Sequence, residues 1–251
     1  MSSVRALKNT VLEVPWIGAV AQSIWRCFKD PYLDPIGRKI ADRFSKWQKL
    51  TIVQIGANDG TRFDPIHVLL KNRHRWAALF VEPIPMVYEK LVENYGRSSR
   101  FKFECSAVSD VAGSFSFYHL SPEARSVARQ WHEYFDLVGS LDRAHVVKAL
   151  ADEAENLDKY ILETKVPVIT LKMLLDKWGV DQIDVLVVDA EGYDWKIVTQ
   201  AIEMGLRPEV ILFEHSNLNP EEKSDVFRLL ESDYHVDDVG IDFLCMSREA
   251  K

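Results

Sequence analysis

Short apolar runs alternate with amphipathic stretches along the chain from residue 50 onward. Nearly continuous apolar strands separated by helical patterns are typical of a parallel sheet with helices on both faces. The runs that predict strands are TIVQI (51–55), AALFVE (77–82), FKFECSAV (101–108), SFSFYHL (114–120), VPVITL (166–171), IDVLVVD (183–189) and EVILFE (209–214). We therefore predict an α/β fold built on a doubly wound, mostly parallel sheet.

Capping residues mark the predicted helix boundaries between these strands. Asp64, followed by proline, predicts the start of a helix over IHVLLK, and Gly96 predicts the end of the helix over PMVYEKLVENY. Asn219 predicts an N-cap with a capping box in NPEEKSDVFRLLES. The segment YHVDDVGIDFLCM predicts a hairpin that turns near Gly240.

Two segments lie outside the alternation. Residues 121–160 are polar and mostly helical in pattern, and they predict an insertion that shapes a substrate pocket, with a surface helical pair as the alternative. Residues 1–49 predict a helical extension that packs over the domain. Its apolar run at 11–28 is interrupted by charged residues and is shorter than the roughly 20 residues of a membrane span. Contact of this helix with a membrane surface is the weaker alternative.

Composition narrows the choice of partners and location. The chain has 251 residues, 47% of them hydrophobic, and a formal net charge of -7. It therefore lacks the overall basic charge of a nucleic-acid-binding protein, and we predict no nucleic-acid partner. Its three cysteines are far apart and form no C-x-x-C pair, which is consistent with a reducing cytoplasmic location. The sequence leaves a homo-oligomer open.

Polar residues follow most of the predicted strands at the point where each strand ends. In doubly wound sheets, ligands bind beyond the carboxyl ends of the strands. Carboxylates near such a buried edge cost free energy unless they are paired or used. The residues at these positions are Gly56, Asn58, Asp59, Gly60, Glu82, Pro83, Ser106, Ala107, Asp189, Glu191, Glu214 and His215. The sequence therefore predicts a ligand site at this edge.

The loop GANDG at 56–60 indicates which ligand this is. A dinucleotide fold would carry G-x-G-x-x-G, whereas here Asn58 and Asp59 put polar and acidic groups where a diphosphate needs bare amides. Glu82, at the end of the next strand, suits the two hydroxyls of a ribose. An acidic loop also suits an ammonium and a sulfonium, so we predict S-adenosylmethionine rather than a structural turn. The predicted cofactor contacts are Gly56, Asn58, Asp59, Gly60, Glu82, Pro83, Ser106, Ala107 and Asp189.

Several motifs resemble those of the FkbM family of S-adenosylmethionine-dependent methyltransferases. They are VQIGANDG, LFVEPIPMVYEKLVENY, SAVSDVAGSFSFY, VPVITLKMLLDKWGVDQIDVLVVDAEGYDWKIV and PEVILFEHSNL, in order over about residues 50–246. The resemblance implies a class I methyltransferase (Rossmann-like) fold with a seven-stranded sheet and an antiparallel C-terminal hairpin strand. It also implies methylation of hydroxyl groups of sugars, glycolipids, polysaccharides or natural products. VVDAEG departs from the KIDVEG of many members, which leaves the role of that position open.

An alcohol acceptor must lose its proton as it attacks the methyl group, so a base or a metal is needed. Glu191 is our candidate general base, and Asp189, two residues before it around a tight strand end, is a further candidate catalytic residue. His145, on a predicted helix of the insertion, is the other candidate base, although a lone helical histidine more often packs or lies at the surface.

The same edge of the predicted sheet carries candidate residues for a metal site and for an acceptor site. By analogy with related sugar O-methyltransferases, Asp189, Glu214 and His215 are candidate ligands of Mg²⁺. In the alternative, Asp189 faces the cofactor and Glu214 accepts hydrogen bonds from loop amides. Candidate acceptor contacts are Ser140, Arg143, Tyr193 and His215. Tyr193 equally fits packing against the following helix.

Other functions remain as alternatives. The chain could methylate an amine or a carboxylate of a small molecule or a protein, or serve as a non-catalytic, cofactor-binding scaffold. A dehydrogenase is disfavoured by the missing G-x-G-x-x-G motif. A nucleobase methyltransferase is disfavoured because the strand at 183–189 runs into Asp-Ala-Glu-Gly rather than a proline- and aromatic-rich clamp for a flipped base.

Overall fold

The computed structural model describes residues 35–62, 64–126, 138–149 and 157–249. The strands are β1 Leu50–Ile55, β2 Trp76–Val81, β3 Phe101–Glu104, β4 Ala107–Val108, β5 Gly113–Leu120, β6 Gly139–Ser140, β7 Ile161–Ile169, β8 Val185–Val188, β9 Val210–Glu214, β10 Tyr234–Asp238 and β11 Asp242–Ser247. The helices are α1 Pro35–Arg43, α2 His67–Asn72, α3 Pro85–Tyr95, α4 Arg143–Ala149, α5 Leu171–Trp178, α6 Asp194–Glu203 and α7 Pro220–Leu230. Short 3₁₀ helices span Pro122–Ser126 and Leu157–Tyr160.

A seven-stranded sheet in the order β10-β11-β9-β8-β1-β2-β3 forms the centre of the fold. The five strands from β9 to β3 are parallel, and β11 runs antiparallel to both of its neighbours. This topology confirms the predicted class I methyltransferase fold. The predicted hairpin near Gly240 is confirmed as the β10–β11 pair.

Helices bury both faces of this sheet. On one face, strand residues such as Val53 and Ile211 pack with α5, α6 and α7. On the other face, residues such as Ile52 and Phe80 pack with α1, α2 and α3. Because both faces are covered, the central strands are apolar at successive positions rather than at alternate ones, as the sequence shows.

Helix α1 belongs to this core, although the sequence places it in the N-terminal extension. Ile36, Ile40 and Phe44 are buried against the second face of the sheet. Arg43 Nη2 donates a 2.6 Å hydrogen bond to the buried Glu209 carboxylate and thereby ties the helix to the start of β9. The apolar run at 11–28, for which we predict a helix, lies outside the described residues.

The capping predictions have mixed outcomes. Asn219 forms the predicted capping box of α7, and α3 ends before Gly96, which has a φ of 71°. Helix α2, however, begins at His67 rather than directly after Asp64, so the predicted N-cap is wrong. Asp64 Oδ1 instead accepts a 2.8 Å bond from Ile66 N in a local turn, which delays the helix start.

A second sheet, in the order β4-β7-β5-β6, was not predicted. The run at 101–108 breaks at Cys105 and Ser106, so that β3 joins the main sheet and β4 joins the second one. The run at 114–120 becomes β5, which pairs antiparallel with β7. An apolar run does not indicate which strand it pairs with, so the sequence pattern predicts one sheet where the structure has two.

The insertion at 121–160 lies between β5 and β7, and its described part includes β6 and α4. It has its own small cluster of Leu120, Ala124, Val138 and Val146. The second sheet packs through Phe117 against Ile84 and Val87, at the start of α3. This contact holds the insertion at the carboxyl edge of the main sheet. No helix in the described part of the chain is long and apolar enough to cross a membrane.

Candidate active site

The loop after β1 is packed so tightly that it requires glycine. Gly56 has a φ of 76°, and a Cβ there would lie 1.7 Å from the carbonyl oxygen of Asp189. Gly60 has a φ of 69°, and a Cβ there would lie 2.4 Å from the Tyr95 ring. The Gly56 N–H donates to the Val81 carbonyl at 3.0 Å. The loop therefore lies directly against the carboxyl ends of β2 and β8.

Glu82 joins the loops that follow β1 and β2. Its Oε2 accepts from Asn58 N at 3.0 Å, and its Oε1 accepts from Ile84 N at 2.9 Å. Burial raises the pKa of Glu82 to about 7, helped by the charge of Asp59, although both backbone hydrogen bonds oppose this shift. Asn58 is held in the left-handed region with a φ of 47°. The structure thus places Glu82, for which we predict contact with a ribose, beside the polar loop.

The Asp59 carboxylate binds groups of its own loop, whereas Asn58 contacts Glu82 through its backbone amide. Its Oδ1 accepts from Thr61 N at 2.9 Å, and its Oδ2 accepts from Arg62 Nε at 2.6 Å. Although burial opposes it, these hydrogen bonds lower the pKa of Asp59. Both carboxylate oxygens are therefore engaged within the loop. The sequence alone does not reveal that Arg62 neutralises this charge.

The turn after β3 contains a buried polar group that lacks a partner. Ser106 is fully buried, and its Oγ has no hydrogen-bond partner among the described residues. Ala107 follows it as the first residue of β4, and Pro83 is buried nearby, with its carbonyl 4.0 Å from Cys105 Sγ. A buried hydroxyl without a partner costs free energy, and the polar group of a ligand would satisfy it. This turn fits a polar cofactor.

Carboxylates gather where β8 and β9 end. Asp189 is exposed to solvent and lies near the carboxylates of Glu191 and Asp194, and we call the space between the ends of β8 and β9 and the insertion the cleft. Loss of hydration, followed by the negative charges of Glu191 and Asp194, raises the pKa of Asp189 well above its ordinary value. Burial and the charges of Glu191 and Asp189 likewise raise the pKa of Glu214.

Asp194 holds the turn between β8 and α6, and we did not identify it from the sequence. Its Oδ1 accepts from Ala190 N at 2.9 Å, and its Oδ2 accepts from Gly192 N at 3.0 Å. Burial raises the pKa of Asp194 to about 7 despite these bonds. The turn holds Glu191 at a φ of 48°. An aspartate in the first turn of the helix, two residues after Gly192, is the signal that the sequence offers.

Glu191 pairs with His145, although the two residues come from separate segments. His145 Nε2 lies 2.7 Å from Glu191 Oε2, so α4 of the insertion reaches the end of β8. Burial acts to lower the pKa of His145, but the hydrogen bond and charge of Glu191 outweigh it, so the pKa is raised. The structure thus brings our two candidate bases together as one charge-assisted pair.

The family profile of the methyltransferase FkbM domain matches residues 54–238. The chain belongs to the FkbM methyltransferase family. The match covers the loop after β1, the strand-end acids and the insertion. No curated protein matches the sequence.

Solved structures resemble this FkbM domain at low sequence identity. The fibrillarin pre-rRNA processing protein of Methanococcus jannaschii is 12% identical, with 80% of this chain and 67% of that chain covered and a TM-score of 0.40. The precorrin-6y C5,15-methyltransferase of Geobacter metallireducens GS-15 is 10% identical, with 85% and 86% covered and a TM-score of 0.40. Human N-acetylserotonin methyltransferase, solved with S-adenosylmethionine, is 10% identical, with 94% and 55% covered and a TM-score of 0.41. These distant similarities say nothing about the acceptor.

The residues for which we predict acceptor contacts are spread around this FkbM domain. Ser140 is fully buried, and its hydroxyl donates to the Glu191 carbonyl at 2.8 Å. Arg143 is exposed at the first position of α4. Tyr193 packs against the core, with Lys196 Nζ 4.7 Å from its ring centroid, which favours the packing interpretation.

The predicted magnesium site does not form. Among the described residues, no three His, Cys, Asp or Glu side chains come together as metal ligands. The buried His215 ring stacks on Phe243 at 3.9 Å between centroids, and its Nε2 lies 3.4 Å from Asp238 Oδ1. Ser216 Oγ donates to Glu214. The sequence predicts that Asp189, Glu214 and His215 lie close together because they follow adjacent strands. In the structure, the His215 ring instead packs on Phe243 of the β10–β11 hairpin.

Proposed function

We propose that the chain transfers a methyl group from S-adenosylmethionine to a hydroxyl group of a sugar, glycolipid, polysaccharide or natural product. The observation that carries this proposal is the Glu191–His145 pair, 2.7 Å apart at the end of β8. Family membership supplies the methyltransferase activity, and the pair supplies the base that a hydroxyl acceptor needs. An amine acceptor needs less help from a base.

The residues after β1, β2 and β3 fit the cofactor. The Glu82 carboxylate would accept hydrogen bonds from ribose hydroxyls, and Ser106 Oγ would gain the partner that it lacks. Gly56, without a side chain, lets the loop pack directly against the Asp189 carbonyl and so keeps it at the ends of β1 and β8. S-adenosylmethionine supplies an electrophilic methyl carbon on a cationic sulfur, which leaves as a neutral thioether. The negative charge of Asp189 and Glu214, once ionised, would favour a cationic group in the cleft.

Glu191 takes the proton of the acceptor hydroxyl in this proposal. Its Oε2 accepts a hydrogen bond from His145, which leaves Oε1 for the acceptor. As the acceptor oxygen bonds to the methyl carbon, the carbon–sulfur bond breaks and its electron pair stays on sulfur, while the hydroxyl proton passes to Glu191. Asp189 and Glu214 are weaker candidates because burial and neighbouring negative charges raise their pKa values, which disfavours the ionised form that a base needs.

The acceptor is a small molecule or a saccharide in this proposal. The formal net charge of -7 and the acids that line the cleft both oppose binding of a polyphosphate backbone. The insertion forms the acceptor side of the cleft, because α4 carries His145 to Glu191. An acceptor would therefore lie between the ends of β8 and β9 and the insertion.

The test is a screen of sugars and glycolipids with labelled S-adenosylmethionine, followed by two matched variants. Glu191→Gln should lower kcat about 100-fold because it removes the general base, while cofactor affinity is kept. Glu203→Gln, exposed at the far end of α6, should match the unmodified protein. Failure of the unmodified protein to bind S-adenosylmethionine would contradict the proposal. Turnover confined to amine acceptors, with Glu191→Gln active, would establish N-methylation instead.

A further inference from the structure

The Ser140 hydroxyl lies at the junction of the insertion and the catalytic turn. It is fully buried, donates to the Glu191 carbonyl at 2.8 Å and accepts from Asp142 N at 3.1 Å. A hydroxyl has one donor hydrogen, and that hydrogen is used here within the protein. Ser140 is thus not placed to contact a methyl acceptor, and a different role has to explain it.

The first contact acts on the backbone of Glu191. A non-glycine residue in the left-handed region costs about 1 kcal/mol, and Glu191 has a φ of 48°. Asp194 holds the amides on either side of Glu191, and Ser140 holds its carbonyl. With its amide neighbours and its carbonyl fixed, the direction in which the Glu191 side chain leaves the backbone is set as well.

The second contact acts on the helix that carries His145. Asp142 lies just before α4, where its Oδ1 accepts from Ala144 N at 2.8 Å. Since Asp142 N donates to Ser140 Oγ, the same hydroxyl fixes the start of α4. Gly139 of β6 packs closely on the Phe117 ring, since a Cβ at this position would lie 2.7 Å from it.

We propose that Ser140 is a positioning residue whose hydroxyl aligns the Glu191 carboxylate with His145. This inference rests on the proposed function, in which Glu191 is the general base. Ser140 acts through Glu191 and touches neither cofactor nor acceptor. The insertion would then complete the base by means of one hydroxyl that bonds to the Glu191 carbonyl and to Asp142 N, at the start of the helix that carries His145.

The test compares Ser140→Ala with Asp142→Ala. Asp142→Ala loosens the first turn of α4 but keeps the bond from Ser140 to Glu191, so it is the matched control. The acceptor-free readout is the pKa of the His145 imidazole, measured by NMR in the free protein, where Glu191, Asp194 and Lys148 are the charges that act on it. We expect Ser140→Ala to return this pKa towards that of an ordinary histidine, and Asp142→Ala to leave it raised.

The second readout is turnover of the best sugar acceptor from the screen. Ser140→Ala should lower kcat about 10-fold with little change in KM, the loss expected from one misaligned hydrogen bond. Ser140→Thr, which keeps the hydroxyl, should restore both the rate and the raised pKa of His145. Circular dichroism on each variant separates these effects from loss of the fold.

Glu191→Gln distinguishes the two ways of failing. If Glu191→Gln remains active, the general base of the proposed function is wrong, and the alignment has no catalytic purpose. If Glu191→Gln is inactive but Ser140→Ala keeps both the rate and the His145 pKa, the positioning role alone is overturned. Equal effects of Ser140→Ala and Asp142→Ala on that pKa would likewise overturn it, because they would show a merely structural contribution to α4.

Discussion

The α-carbon of Gly56 lies against the carbonyl oxygen of Asp189, so that even a methyl group on Gly56 would lie 1.7 Å from that oxygen. The same Asp189 donates its N–H to the Ile55 carbonyl at 2.9 Å. The ends of β1 and β8 are therefore locked together at the point where the cofactor loop begins. Any side chain at position 56 must separate these two strands.

We expect Gly56→Ala to destabilise the fold by at least about 3 kcal/mol, because left-handed strain and a backbone clash add together. Gly96→Ala is the matched control, since Gly96 has a similar φ of 71° but nothing within 4 Å of its would-be Cβ. It should cost only about 1 kcal/mol. Urea unfolding of both variants measures the difference. Equal losses would show that β1 and β8 can separate freely at this point.

Glu82 predicts a pH dependence of cofactor binding. Its pKa of about 7 in the free protein means that it is largely protonated below neutral pH. Ribose hydroxyls donate better to an ionised carboxylate, so the affinity for S-adenosylmethionine should rise about 10-fold between about pH 6 and about pH 8. Calorimetric titration at several pH values should show this rise in the unmodified protein and not in Glu82→Gln.

Glu104→Gln is the control for this pH effect. Glu104 is also buried at the end of a strand, but it is already paired with Lys177 Nζ at 2.8 Å and with Trp178 Nε1 at 2.8 Å. Its variant should keep the pH dependence. The stability of the unmodified free protein should fall with rising pH, whereas its cofactor affinity should rise. The raised pKa of Glu82 stabilises the fold below about pH 4.5, and this contribution is lost as the pH rises through about 7. A flat affinity profile in the unmodified protein would remove Glu82 from the cofactor site.

The central sheet could be predicted because its strands are buried on both faces. β1, β8 and β9 are short, almost wholly apolar runs, and such runs between helices have few other possible places in a fold. The second sheet could not be predicted in this way. β5 and β7 carry polar residues on their exposed faces and lie far apart in the sequence, and β4 joins β7 only after a break at 105–106 that no strong turn residue marks.

The same limit applies to the candidate site. Gly56, Glu82 and Asp189 were predictable because strand ends in one parallel sheet meet at one edge. The contact of His145 with Glu191 depends on how an insertion folds back over that edge, which local patterns do not encode. The Arg62 partner of Asp59 could not be predicted for a related reason, since it lies in an irregular loop whose side-chain directions a sequence does not reveal.

Asp194 predicts that the turn carrying Glu191 is sensitive to loss of a single carboxylate. Asp194→Ala would leave the amides of Ala190 and Gly192 without their acceptor, so we expect about 2 kcal/mol of lost stability and a reduced kcat. Asn219→Ala removes a comparable helix cap from α7, away from the cleft. It should cost about 1 kcal/mol and leave turnover unchanged. If Asp194→Ala lost only stability, the turn would not be what positions Glu191.

Ser106 offers a test in which stability and binding should move in opposite directions. Its buried hydroxyl lacks a partner among the described residues, so Ser106→Ala should leave the free protein as stable as before, or more stable by up to about 1 kcal/mol. If the cofactor supplies the missing partner, the same variant should bind S-adenosylmethionine about 5-fold more weakly.

Ser109→Ala is the matched control, because Ser109 is equally buried but its hydroxyl already donates to Asp110 Oδ1 at 2.9 Å. That variant should lose about 1 kcal/mol of stability and keep its affinity for the cofactor. Melting temperatures with and without S-adenosylmethionine report both quantities for each protein. If Ser106→Ala destabilised the free protein and bound the cofactor normally, the hydroxyl would have a structural partner, and the turn after β3 would not belong to the cofactor site.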